Sequence, residues 1–196
     1  MRERRARAAG KTALLPAVAA VAAAALGCGP PDHLANLEPA RKTVAAYLDA
    51  WRTLDFRTMY GLTAAAALGG VTAEQYENAA NQTLLENAII ASHMRYAVGA
   101  ARTEREAGGT GDGAAVDLSW TIPNMARAVQ ETAALVAAGV GARGLLDALA
   151  PKVADGTVPL ETHAVTVRLV WEEARWKVDP ASMKIASHVD AKPVAP

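Results

Sequence analysis

Between Glu38 and Thr53 the apolar residues return every three or four positions, so that Val44, Tyr47, Leu48 and Trp51 share one face. That period predicts an amphipathic helix. Pro39 suits its first turn, where an N–H would have no partner. Asp55 is placed to cap a short second helix, "FRTMYGL", with Phe56, Met59, Tyr60 and Leu62 apolar. Gly69 and Gly70 break the pattern. Thr72 and Gln75 then form a capping-box pair that opens a third helix to about Asn87. Its buried face is predicted to hold Tyr76, Ala79, Ala80 and Leu84.

The period then shortens to two. "MRYAVGAARTERE" reads as a long strand and "GGTGDG" as a hairpin loop. In "AAVDLSWTIP", Val116, Leu118, Trp120 and Ile122 alternate with Asp117, Ser119 and Thr121, the pattern of a half-buried strand. "HAVTVRLVW" puts Val165, Val167, Leu169 and Trp171 on one face, with Thr166 and Arg168 on the other. After "EEA" the chain returns as "RWKVD", with Trp176 and Val178 inward. This is the clearest hairpin in the sequence. Between these strands Met125 to Val153 is alanine-rich and helical, interrupted at "AGVGARG", so two short helices or one broken helix fit. The expected class is α+β: three N-terminal helices packed on an antiparallel sheet, with a helical insertion before the last strands.

The N-terminus is patterned differently. "MRERRARAAGK" carries five basic residues against Glu3, and the next sixteen positions, "TALLPAVAAVAAAALG", have no charge. A basic segment followed by an apolar one is the layout of an export signal. "ALGC" looks like a bacterial lipobox, with Ala25 where leucine is usual and small Gly27 before the cut. That likeness implies cleavage ahead of Cys28, diacylglycerol on its thiol, and anchorage to a membrane through two acyl chains. Retention of the segment as an uncleaved anchor is the alternative. Residue 29 is Gly rather than the Asp that favours inner-membrane retention in such lipoproteins, which points to the outer membrane. Residues 1–27 are thus read as signal, 28–36 as lipidated cysteine and proline-stiffened tether, 37–183 as the folded domain and 184–196 as a tail.

Composition narrows the partners. The chain has 196 residues, with 20 basic and 20 acidic side chains. Loss of residues 1–27 removes five bases and one acid, leaving a net side-chain charge of −4. A balanced or mildly acidic chain lacks the basic footprint that nucleic acid requires. The single cysteine excludes an internal disulfide and any Cys₄ or Cys₂His₂ zinc site.

Three segments, "VAAYLDAWRTLDFRTMYGLT", "VTAEQYENA" and "VTVRLVWEEARWKVDPAS", together resemble a nuclear-transport-factor-2-like domain. The variety they are most similar to is the small N-terminal accessory domain of penicillin-binding transpeptidases. Asp55, Phe56, Met59 and Tyr60 match its first segment, Thr72, Glu74 and Tyr76 its second, and Trp176, Lys177, Val178 and Asp179 its third. The likeness runs from about Leu37 to Met183, with Met125–Val153 as a departure. It implies a cone, in which a curved sheet wraps the helices and leaves a pocket at one end. Cones of this kind serve enzymes, cargo binders and spacers alike, so the resemblance does not name a reaction.

No motif supplies the chemistry. The serine–lysine motif of a transpeptidase is missing, as are H-x-x-x-H, EF-hand, dinucleotide and P-loop patterns. No catalytic residue, metal ligand or cofactor is therefore assigned. A cone enzyme would need a carboxylate or histidine in an apolar pocket; His163 shares strand parity with Val165 but reads better as a structural histidine at a strand entrance. Tyr47, Trp51, Tyr60, Trp120, His163, Trp171 and Trp176 are the candidate pocket residues, with core packing as the competing reading for the aromatics. The expected function is a lipid-anchored cell-envelope protein with a non-catalytic binding or positioning domain and an envelope protein partner. The alternative is a small-molecule binder or enzyme using the cone pocket.

Overall fold

The computed structural model describes residues 32–105 and 112–183. The chain divides into two units, Met1–Pro30 and Pro31–Pro196, and all described residues belong to the second. The signal segment, Cys28, the start of the tether, most of the "GGTGDG" loop and the tail lie outside the described residues.

The fold is mixed α+β. Six helices precede the first strand: α1 (Asp32–Ala35), α2 (Glu38–Arg52), α3 (Phe56–Leu62), α4 (Ala65–Leu68), α5 (Ala73–Gln82) and α6 (Leu84–His93). Strands β1 (Arg95–Arg105) and β2 (Asp112–Pro123) follow, then helices α7 (Met125–Ala137) and α8 (Ala142–Ala154). Strands β3 (Leu160–Glu172) and β4 (Arg175–Asp179) and a 3₁₀ turn (Pro180–Met183) end the domain. The four strands form one antiparallel sheet in chain order.

The alternation rule places the core correctly. Val116, Leu118, Trp120, Ile122, Val167 and Leu169 are buried against the helices, while Asp117 and Arg168 face solvent. Helix α2 lays Val44, Tyr47 and Leu48 on that inner face. Its Arg41 also repairs the sheet. The β1–β2 register shifts between Val98 and Ala101, and such a bulge leaves backbone groups without ladder partners. Arg41 donates from Nε to the Gly99 carbonyl at 2.8 Å and from Nη2 to the Val98 carbonyl at 3.2 Å. A side chain at 99 would press on Asp117, whose carbonyl oxygen would lie 3.2 Å from the added Cβ; glycine lets the strands close there. At the far end of the hairpin, Glu173 and Ala174 both have positive φ, the pattern of a two-residue type I′ turn.

Three expectations are corrected. The N-terminal helices number six among the described residues rather than three, and the predicted Thr72–Asn87 helix is two. Its capping box is present, with Gln75 N–H on Thr72 Oγ1 at 3.2 Å and Thr72 N–H on Gln75 Oε1 at 2.8 Å. It stops at Gln82, because side chains take over the backbone partners: Thr83 Oγ1 and Asn87 Nδ2 both donate to the Ala80 carbonyl. Residues 32–35, expected as extended tether, form a helical turn whose His33 stacks on Trp171 with ring centroids 4.3 Å apart.

The insertion resolves as two helices with a second, smaller core. Leu149 and Val158 are fully buried with Ala128 and with Ile89 from α6. Glu131 of α7 reaches Lys152 of α8 at 2.6 Å and Arg127 at 3.0 Å. The lysine, donating a hydrogen bond to that carboxylate, holds Glu131 below its ordinary pKa.

Candidate ligand-binding cleft

An open cleft of about 600 Å³ lies between the helices and the inner face of the sheet. That is within the range of small-molecule sites. Its walls come from elements far apart in sequence. Helix α2 contributes Tyr47 and Trp51, α3 Phe56 and Met59, and α5 Tyr76 and Ala80. Opposite them stand Ile90 of α6, Trp120 and Ile122 of β2, Met125 at the start of α7 and Met183 of the 3₁₀ turn.

Among the described residues no Asp, Glu, His, Lys or Arg lines the cleft. Its polar groups are hydroxyls, amides and indoles. Tyr47 is buried, and burial, helped by the neighbouring Tyr76 hydroxyl, pushes its phenol well above the ordinary value of 10; Thr63 opposes this by hydrogen bonding. The Tyr47 phenol therefore keeps its proton near neutral pH. Asn87 at the rim donates to the Ala80 carbonyl and to Thr83 Oγ1. The indole nitrogens of Trp51 and Trp120 are both buried without a hydrogen-bond partner. Their rings lie 5.7 Å apart at 57°. Such a wall can hold an apolar body; among the described residues it carries no carboxylate, imidazole, ammonium or guanidinium group.

The seven candidate residues separate into groups. Tyr47, Trp51 and Trp120 line the cleft. Tyr60 lies behind the wall, its ring edge-on to Tyr76 and its hydroxyl on the Val71 carbonyl at 3.2 Å. His163 pairs with Trp120 across the ladder but is absent from the lining; its Nε2 is 3.7 Å from Glu161. Trp171 and Trp176 form a second aromatic cluster with His33, their rings 5.2 Å apart. Trp171 is eight residues along β3 from His163, about 26 Å of strand, so these tryptophans stand toward the other end of the sheet. Their correction has a simple cause: strand parity selects the face but not the position along it.

The residues that sequence reasoning missed are Ile122 and Ile90, which it read as core or did not single out, and the sulfur-bearing Met59, Met125 and Met183. A signal was present for Met59, on the apolar face of the second predicted helix, and for Ile122, on the apolar face of a predicted strand. Met125 and Met183 each stand just beyond a strand and its turn, where no periodic pattern points inward.

Among the described residues no group of three or more His, Cys, Asp or Glu could hold a metal, and no helix is long and apolar enough to cross a membrane. No protein-family profile, no curated protein and no solved structure matches the chain.

Proposed function

We propose that this chain is a lipid-anchored protein of the bacterial cell envelope whose α+β domain binds a small molecule in the cleft and performs no chemistry on it. The open, uncharged cleft between α2, α5 and β2 carries the binding reading. A closed core would have filled it, and among the described residues the lining holds no carboxylate or histidine of the kind a cone enzyme would use. The export and lipobox pattern ending at Cys28 supports the anchor, and the order of helices before an antiparallel sheet suits a relationship to nuclear-transport-factor-2-like domains.

Titration of the purified full chain with the neutral dye phenylnaphthylamine tests the cleft. Saturable fluorescence enhancement is expected, and its loss in Ala79→Trp, an exposed position on the rim. A wild-type chain that gives no saturable signal would refute the binding reading. For the anchor, Cys28→Ser should abolish acyl labelling and shift the protein out of the membrane fraction; unchanged fractionation and processing would refute it.

An envelope protein partner is favoured by one further observation. Val129 and Val136 of α7 are each 52% exposed and lie one heptad apart on the same helix face. Val129→Glu with Val136→Glu should remove specific crosslinks in intact envelopes while dye binding persists.

A further inference from the structure

The geometry points to a specific ligand class for the cleft: we infer that it takes a neutral, mainly apolar molecule bearing a hydrogen-bond acceptor, which the indole N–H groups of Trp51 and Trp120 recognise. The inference rests on the reading of the cleft as a small-molecule site. Buried donors are almost always paired, and an unpaired one costs about 1–3 kcal/mol. Here two unpaired donors belong to neighbouring rings in the wall of the same cleft. Trp120 is 3% exposed and held by β2, so its nitrogen cannot turn to bulk water. Indole is a donor only, so the missing partner is an acceptor such as a carbonyl or ether oxygen.

The charge of the ligand follows from the rest of the wall. With no cationic or anionic side chain in the lining, an ionised ligand would lose its hydration without a counter-charge. Phe56, Met59, Ile90, Ile122 and Met183 supply apolar contact instead. Both indole nitrogens are screened from solvent. The acceptor therefore reaches them as the two rings part. Trp51 is partly exposed near the end of α2, whereas Trp120 is buried in the sheet.

Displacement of phenylnaphthylamine from the full chain by three matched competitors tests this. Valerophenone and pentylbenzene differ only by a carbonyl in place of a methylene, and the phenylpentanoate anion adds a charge. Trp120→Phe and, separately, Trp51→Phe remove an N–H and keep an aromatic ring. Each is expected to weaken valerophenone about three- to tenfold while pentylbenzene stays within about twofold; retained pentylbenzene binding also shows that the variant is folded. Phenylpentanoate is expected to bind the wild type at least about tenfold more weakly than valerophenone. Equal losses for ketone and hydrocarbon in both variants, or none for either, would overturn the donor assignment while leaving the cleft a binding site. Tight binding of the anion would overturn the neutral class. If neither the dye nor any competitor binds the wild type, this inference falls together with the proposed function.

Discussion

Lys177 shows how much a single residue's environment depends on distant chain. Strand parity sets it opposite Val170 on the outer face of the sheet, where a lysine is ordinarily solvated. It is instead 7% exposed. The segment after α3 runs beside β4, bridging Thr63 to Val178 in parallel, and Lys177 Nζ donates to the Gly61 carbonyl. Lys177→Ala removes that donor and the packed stem together, and is expected to cost about 1–3 kcal/mol in a denaturant titration. Lys177→Met restores the stem and should recover part of the loss; no difference between the two would assign the whole effect to the hydrogen bond. His93 gives a pH signature at the same scale. Burial, and then the Arg95 charge, lower its pKa below 6.5, so the unfolded chain binds this proton more readily than the fold does. Its contribution is therefore complete above pH 6.5 and is lost as pH falls from there through the lowered folded-state pKa. The denaturation midpoint should drop between pH 7.5 and pH 5.5, and His93→Gln should flatten that drop. Equal slopes would remove His93 from the account.

At the scale of elements, legibility followed the number of faces that solvent reaches. Strands β2 and β3 each have one largely wet face and one dry face, so their alternation stood out in the sequence. Helix α6 does not. It sits between the main core and the second core, with Ile89 facing one and Ile90 the other. A helix buried on two sides loses its polar stripe, and its run "LLENAIIASH" merged with the preceding pattern. The α5 face was legible as apolar but not as the wall of an open space: Ala79 is exposed and Tyr76 half-buried, because the opposite side is the cleft. The start of α5 was legible for a different reason. A capping box is a local bond pattern that needs no tertiary context. Thr72→Ala should therefore lower global stability by about 1 kcal/mol. Phenylnaphthylamine affinity should change little, since Thr72 does not line the cleft. A large loss of dye binding would mean instead that α5 needs its cap to hold Tyr76 and Ala80 in place.

Across the whole molecule the two cores share one helix, and that makes a claim about cooperativity. Ile89 and Ile90 are consecutive on α6, one in each core, and Met125 both packs on the second core and lines the cleft. The insertion is thus part of the cleft wall. Loss of α7 and α8 would expose Ile89 and remove Met125, so the domain should unfold in one transition. The probes separate these parts cleanly. All four tryptophans, Trp51, Trp120, Trp171 and Trp176, belong to the main core and none to the second. Fluorescence therefore follows the main core, while far-ultraviolet dichroism also counts α7 and α8. Leu149 is fully buried in the second core, and Leu149→Ala should cost about 2–5 kcal/mol. If the cores are coupled, that variant moves the fluorescence midpoint and the dichroism midpoint together, although the altered residue touches no tryptophan-bearing core. Helical signal lost at low denaturant, ahead of an unmoved fluorescence transition, would show that α7 and α8 detach on their own. The cleft would then keep its sheet wall and lose its Met125 edge before the domain unfolds.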